Sequence, residues 1–413
     1  MRSILPRPGH GMPVGSAQPV GNALHASMDD VCAGAPQTTI SPVVLHIGAG
    51  CGAPVGSRRR PGAPRCSTGP AAPIPSMVPA GARQGRSGDG ANDMSDDDLQ
   101  VRQANDDDLP QILEVLQSSL GWVPDAQYAD FYRWKHHDNP FGRSPAWVAV
   151  DGDRIVGLRV WLRWRFLQAG RRWEAVRAVD TATHPDYQGR GIFRRLTTSS
   201  IEVLREQGVA HVFNTPNEQS RPGYLKMGWE EVGKLAVGVR FRSPLAAASA
   251  VRARVPADKW SLPTDVAAPA AEVLADDAEV AALIKGLDDT RIGTDLDVEV
   301  LRWRYGFGPL HYRGVREAGG IALFRLRKRG PATECVVGHV LAPDEATAGR
   351  LLRRIAKVSG ADQVLQITDR PHLRGGFVPL PGGGPIFTWR ALAESGMPPL
   401  DRWELTMGDI ELF

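Results

Sequence analysis

Gly189 and Gly191 lie in the run Gln188-Gly189-Arg190-Gly191-Ile192-Phe193, and Arg194 and Arg195 follow directly. The spacing of apolar residues behind them predicts a helix over 190–206, ended by Gly208, so the run is the entrance of a helix. Such an entrance presents backbone N–H groups that no carbonyl of the helix can accept, and the helix dipole adds partial positive charge. Glycines let an anion approach the backbone, and the arginines bring full charge. The chemistry that fits is capture of a phosphate group, a pyrophosphate in particular. A glycine pair alone fits an ordinary strand-to-helix turn equally well. The loop lacks the Gly-Lys-Ser/Thr of a P-loop, and no acidic ribose partner accompanies it as in a dinucleotide site.

The elements around the loop follow from pattern. Leu99 to Arg102 alternates like a strand, Asn105 is an N-cap ahead of Asp106 to Asp108, and Leu109, Ile112, Leu113, Val115, Leu116 and Leu120 recur at helical spacing up to Gly121. A second helix closes with Phe131 to His137, where His136 and His137 are expected as caps. Ala146 to Val150, Ile155 to Phe166 and Glu174 to Thr183 then read as three strands joined by tight turns, and Val209 to Asn214 as a strand after the helix. This order repeats in weaker form. Leu301 to Gly306 (LRWRYG) echoes Tyr132 to His137 (YRWKHH), and His339 to Ile355 echoes Asp180 to Leu196.

Composition divides the 413 residues near Met94. Residues 1–93 hold 15 Gly and 13 Pro but none of the 28 aromatic residues, and their eight arginines and four aspartates account for more than the whole net charge of +3. Such a segment cannot bury enough surface to fold, so it is expected as a disordered tail, or as an extension ahead of a true start at Met94. The remainder has 41 basic and 42 acidic groups. That balance provides no global field for nucleic acid, and no apolar run suits a membrane span or secretory signal. Three of the four cysteines, Cys32, Cys51 and Cys66, sit in the tail and Cys335 is alone, which leaves no disulfide framework or zinc site, so a cytoplasmic location and no metal are expected.

The order Thr-x-Thr-His-Pro-x-Tyr-Gln-x-x-Gly from Thr181 to Gly191 resembles the acetyl-CoA pyrophosphate loop of the GNAT superfamily of N-acetyltransferases. Asn217, Ser220, Tyr224 and Gly228-Trp229 stand downstream at that family's spacing. Phe193 departs from the small residue usual at its place, as in members with Gly-Ile-Phe or Gly-Leu-Leu there. The resemblance covers about 99–242, and the repeat extends it weakly to the C-terminus. It implies an α/β (α+β) fold of two tandem GNAT units, each a mixed central sheet flanked by helices. In architecture it resembles the group of tandem "enhanced intracellular survival" acetyltransferases, without their third domain. Expected boundaries are a tail over 1–93, an active unit over 98–243, a surface linker over 244–270 and a degenerate unit over 271–413.

By the same resemblance, Thr181, Ala182 and Thr183 lend backbone groups to the pantetheine arm, while Gln188, Gly189, Arg190, Gly191, Ile192, Phe193 and Arg194 hold the pyrophosphate. Asn217 and Ser220 border the arm, and Tyr224 is the general acid beside the CoA sulfur. The general base stays open. Arg177 occupies the place of a glutamate common in relatives, and Asp180, Glu174, Glu218 and the terminal carboxylate at Phe413 are candidates. His184 reads as a turn residue. In the second unit Ala346, Thr347, Ala348 and Gly349 replace the loop, which implies lost phosphate binding. Trp122, Trp134, Trp147, Trp161 and Trp164 are expected mainly in packing, and Arg325, Arg327, Lys328 and Arg329 as a solvated hairpin. The implied activity is acetyl transfer from acetyl-CoA to a primary amine of a small molecule such as an amino sugar, aminoglycoside or polyamine. Alternatives are acetylation of protein lysines or N-termini, and a non-catalytic CoA sensor. A homo-oligomer is compatible with either.

Overall fold

The computed structural model describes residues 99–121, 126–252, 255–368, 375–380, 383–393 and 396–411. The expected tail, Trp122 and Phe413 lie outside them.

In chain order the first half contains β1 (Gln100–Gln103), α1 (Leu109–Leu120), α2 (Ala126–His136), β2 (Ala146–Asp151), β3 (Arg154–Gln168), β4 (Arg171–Thr183), α3 (Ile192–Glu206), β5 (His211–Asn214), α4 (Arg221–Lys226), β6 (Glu230–Lys234) and β7 (Val237–Phe241). After α5 (Pro244–Arg252) come β8 (Ala268–Pro269), α6 (Ala270–Val273), α7 (Asp277–Lys285), β9 (Gly293–Thr294), α8 (Val298–Gly306), β10 (Arg313–Glu317), β11 (Gly320–Arg329) and β12 (Ala332–Leu341). The chain then forms α9 (Glu345–Ser359), β13 (Gln363–Ile367), β14 (Val378–Pro379), β15 (Ile386–Ala391) and α10 (Met407–Ile410).

Local signals account for the boundaries. Asn105 and Asp108 make a reciprocal capping box ahead of α1, and Gly121 ends it in the left-handed region at φ 65°. The β3–β4 hairpin turns on Ala169 and Gly170, both at positive φ.

Two sheets result, ordered β1-β2-β3-β4-β5-β15-β6, with β9 on β3, and β14-β7-β13-β12-β11-β10-β8. The pairs β4–β5 and β12–β13 are parallel, and all the other pairs are antiparallel. Sheet membership crosses the expected division at 243. β15, from near the end of the chain, inserts between β5 and β6, whereas β7 leaves the first sheet and pairs with β13. Each sheet is therefore completed by a strand from the other half. The expected linker also belongs to both halves. Trp260 packs edge-on against Tyr128 and Phe131 of α2, with centroids 5.4 Å away in each case, while the Asp258 and Leu262 N–H groups bond to the carbonyls of Lys328 and Leu326 on β11.

The basic hairpin corrects an expectation. Arg325, Arg327 and Arg329 are buried rather than solvated. Glu334, directly across from Arg327, binds Arg327 and Arg329, and Glu411 binds Arg325 and Arg327 at 2.7 and 2.5 Å. The two carboxylates pair with all three guanidinium groups from inside, which makes their burial tolerable. Trp134, Trp147, Trp161 and Trp164 all lie in the core.

Candidate active site

The first sheet opens where β4 leaves β5. Their parallel pairing covers Ala175 to Arg177 against His211 to Phe213, and β4 continues alone on that side from Ala178 to Thr183. In the same stretch β4 bulges against β3: Leu158 pairs with Ala182 and Val160 with Val179, so Arg159 faces both Asp180 and Thr181. Asp180 takes φ 43°, a left-handed conformation uncommon for residues other than glycine. The bulge lies in the stretch of β4, from Ala178 to Thr183, that β5 leaves unpaired.

The glycine run lies at the end of this opening. Gly189 and Gly191 adopt φ 81° and 71°, and no atom stands within 4 Å of where a Cβ would be. Gly191 is itself the N-cap of α3, which starts at Ile192, two residues later than the pattern predicted, and no side chain caps the helix. The first intrahelical bond runs from Arg195 N–H to Gly191 O, so the N–H groups of Ile192, Phe193 and Arg194 have no acceptor within the helix. The helix is seated closely because Gly157 of β3 has no side chain: a Cβ there would lie 2.5 Å from Ile192 Cγ2. Gln188, Arg194 and Arg195 are exposed, and the Arg190 guanidinium stacks over Tyr187 at 5.2 Å.

The helix α9, in the segment whose sequence echoes the glycine loop, is built differently. The Asp344 side chain accepts from Thr347 N at 2.7 Å and caps α9, Thr347 is buried, and Ala346, Thr347, Ala348 and Gly349 all lie inside the helix. An aspartate thus occupies the N–H groups that α3 leaves open. The divergence of β12 from β13 beyond Val336 is covered as well, because α10 packs there. Gly408 touches His339 so closely that a Cβ would come within 2.3 Å of its ring, and Thr406 Oγ1 bonds His339 Nε2 at 3.2 Å.

Tyr224 on α4 is 5% exposed, with its ring edge-on to Phe193 at 5.3 Å and tilted against Trp229 at 5.1 Å. Its hydroxyl accepts from Arg159 Nη1 at 2.8 Å, and the same nitrogen donates to Thr181 Oγ1 at 2.5 Å. Arg159 therefore ties together two residues 43 positions apart that the sequence singled out separately. Arg159 itself was missed. The available signal was a cation inside the otherwise apolar run Ile155 to Leu162. Asn217 uses its Oδ1 to accept from Ser220 N and Oγ at 2.8 and 2.9 Å, so the two residues lock the turn into α4. Ala182 is buried, and Thr183 accepts at its carbonyl from Ser119 Oγ.

On the other face of the bulge, Asp180 Oδ2 receives Lys135 Nζ and His136 Nε2, each at 2.7 Å, and His136 Nδ1 lies 3.0 Å from Ser144 Oγ. His136 therefore anchors the bulge instead of capping α2. Burial lowers the His136 pKa to about 4 against the pull of Asp180, so the ring is neutral, donating from Nε2 and accepting at Nδ1. Burial works to raise the Asp180 pKa, but the Lys135 ammonium and the His136 ring outweigh it and hold the carboxyl well below the usual range. That removes Asp180 as a good base. Glu174 is removed by position, because seven strand residues place it roughly 23 Å along β4 from Thr181. Glu218 is exposed. His184 caps the following turn by accepting from Asp186 N, and bonds Arg154.

Arg177 is buried where β4 and β5 part. Its Nη1 donates to Asp409 O and its Nη2 to Ile410 O, both at 2.6 Å, which fastens α10 to the first sheet. Burial and then the like charge of Arg304 lower its pKa to about 9. Arg304 holds the other side of the same segment through Gly408 O and Glu411 O.

A parallel pair that parts beside a bulged strand, with an uncapped glycine-led helix at its end, coincides with the region where family comparison gives its match: the acetyltransferase (GNAT) domain, over residues 100–232. Residues 100–232 thus resemble a GNAT acetyltransferase domain in both sequence and fold. Two solved structures share the fold. A GCN5-related N-acetyltransferase from Kribbella flavida is 18% identical over 71% of each chain, with a TM-score of 0.50. Another from Anabaena variabilis ATCC 29413 is 12% identical over 71% of this chain and 73% of its own, with a TM-score of 0.51. No curated protein matches the sequence. The match over residues 100–232 supports acyl transfer as the activity of that part of the chain. Among the described residues no cluster of His, Cys, Asp and Glu could hold a metal ion, and no helix is long and apolar enough to cross a membrane.

Proposed function

We propose that the protein transfers an acetyl group from acetyl-CoA to a primary amine of a small molecule, of the amino sugar, aminoglycoside or polyamine type, with Tyr224 as general acid. The observation that carries this reading is the Thr181–Arg159–Tyr224 constellation at a bulged, open strand edge, beside the uncapped entrance of α3. Acetyl-CoA supplies the activated acyl group. Gly189, Gly191 and the first-turn N–H groups of α3 would receive its pyrophosphate, with Gln188, Arg190, Ile192, Phe193 and Arg194 around them. Thr181, Ala182 and Thr183 would offer backbone groups to the pantetheine arm along the unpaired edge, and Asn217 and Ser220 would border it. The fit is supported by the open space at both glycines and by the strand edge left unpaired beyond Arg177.

Tyr224 suits proton donation because its oxygen already accepts from Arg159, which leaves its own proton to point away from the guanidinium. No base is required of the chain if the amine arrives neutral. The two halves are proposed as one catalytic unit and one degenerate unit, since α9 is capped by Asp344 where α3 is open.

Calorimetry with acetyl-CoA tests the reading. Binding is expected, and Gly191→Asp should abolish it. Tyr224→Phe should keep the affinity but lower kcat by about 10²- to 10⁴-fold. An unchanged kcat would remove Tyr224 from its role, and a panel of amines assayed by thiol release would name the acceptor.

A further inference from the structure

Among the described residues, the buried arginines other than Arg159 are answered by carboxylates or by backbone carbonyls. Arg325, Arg327 and Arg329 meet carboxylates, and Arg177 and Arg304 meet backbone carbonyls. Arg159 differs. Its side chain is 0% exposed, Nη1 donates to two hydroxyl oxygens, and Nε and Nη2 have no hydrogen-bond partner among the described residues. The neighbours of its guanidinium are the rings of Trp161 at 4.1 Å, Tyr224 at 5.3 Å and Phe193 at 5.6 Å. Aromatic faces recover part of the cost of burying a cation, but they do not replace an anion. Leucine or methionine would fill this place without leaving a charge in the core. A fixed charge in a dry site is most effective where negative charge develops during a reaction.

We infer that Arg159 is a positioning residue that favours the anionic form of the leaving sulfur, acting through Tyr224. This rests on the reading above, in which the Tyr224 hydroxyl stands beside the sulfur of CoA. In the transfer, the amine nitrogen bonds to the thioester carbonyl carbon, the C–S bond breaks, and its electron pair goes to sulfur. Tyr224 gives its proton to that sulfur. The proton lost by the new amide nitrogen passes to solvent, and solvent returns one to the tyrosine oxygen. While the proton is in transit, negative charge is shared between sulfur and the Tyr224 oxygen, and Arg159 lies against that oxygen throughout. The same field acts on the product, so bound CoA should lose its thiol proton more readily than free CoA.

The test is a pH titration of CoA bound to the full chain, following the ultraviolet absorbance of the thiolate as a difference against bound desulfo-CoA. In the wild type the proton affinity of the bound thiol is expected to fall about 10- to 1,000-fold relative to free CoA. In Arg159→Met it should return to the free value while calorimetry still detects CoA. A bound thiol that titrates like free CoA in the wild type overturns the inference even if no variant folds. An equally lowered titration in Arg159→Met overturns it too, since another group would then be the cause. If wild type binds no CoA, the acetyltransferase reading itself fails and this inference falls with it.

Discussion

Trp134 and Trp303 hydrogen-bond each other reciprocally: each indole N–H donates to the backbone carbonyl of the other residue at 2.8 Å, and the two rings stack 5.4 Å apart. They hold the same position in the similar runs YRWKHH and LRWRYG, near the ends of α2 and α8. This pair joins α2 to α8 through two buried bonds and a ring stack. Trp303→Phe removes one donor and leaves the Trp134 carbonyl buried without its partner. A loss of about 1–3 kcal/mol is expected from denaturant unfolding. Trp303→Ala should cost about 3–5 kcal/mol because it also opens a cavity. If the phenylalanine variant unfolds at the wild-type denaturant concentration, the reciprocal bonds contribute nothing.

Arg177 predicts a second, more local effect. Its two bonds to the carbonyls of Asp409 and Ile410 hold α10 at the point where β4 and β5 separate. Replacing it with methionine keeps much of the volume but leaves both carbonyls unsatisfied, a loss of about 2–4 kcal/mol. Because the defect lies at one end of a short helix, limited proteolysis should cut near residues 405–411 before the variant unfolds globally. Wild-type resistance in that stretch would show that Arg304 alone suffices.

How much the sequence revealed depended on the range of the interactions. Strands β2 to β5 and helices α1 and α3 were legible because alternation, Asn105, Gly121 and Gly208 act within a few residues. The glycine loop was legible for the same reason. Strand exchange was not, because the patterns of Val237–Phe241 and Ile386–Ala391 suit an inner strand of either sheet, and the choice between them is made by residues more than a hundred positions away. The basic hairpin was misread for a related reason: Glu411, which binds Arg325 and Arg327, lies 86 and 84 positions away from them. Arg159 left only the signal of a cation in an apolar run, and the Lys135–His136–Asp180 cluster left none, because its meaning lies in contacts that only the folded bulge creates. The motif singled out Tyr224 but gave no sign of Arg159, which holds its hydroxyl.

Gly157 links the sheet to the glycine loop and can be tested directly. An added methyl would lie 2.5 Å from Ile192 Cγ2, 3.2 Å from Ala149 Cβ and 3.3 Å from Leu196 Cδ1. Ile192 is the first residue of α3, so relief must come from lifting the start of the helix. Gly157→Ala should cost about 1–3 kcal/mol in stability. Its affinity for acetyl-CoA should also fall, since the first-turn N–H groups would move with Ile192. Destabilisation with unchanged affinity would mean that the helix start and the ligand site are uncoupled.

Acid should loosen the protein in two separate stages. His136 has a folded pKa lowered to about 4 from 6.5, primarily by burial. The unfolded chain therefore binds the proton first, and stability present above pH 6.5 is lost as pH falls toward 4, by roughly 3 kcal/mol for this ring. His211 and His339, also lowered by burial, act in the same direction. Glu411 responds at lower pH. Burial works to raise its pKa, but Arg325 and Arg327 bring it down to about 2 from 4.5. Its contribution is complete above pH 4.5 and disappears as pH falls toward 2. Unfolding free energies measured from pH 8 to pH 3 should thus begin to decline near pH 6.5, before ordinary carboxylates titrate. His136→Gln should be less stable at pH 8, through the altered geometry at Asp180, but show a shallower slope between pH 6.5 and 4. An equal slope in the two proteins would assign the early acid sensitivity to His211 or His339 instead.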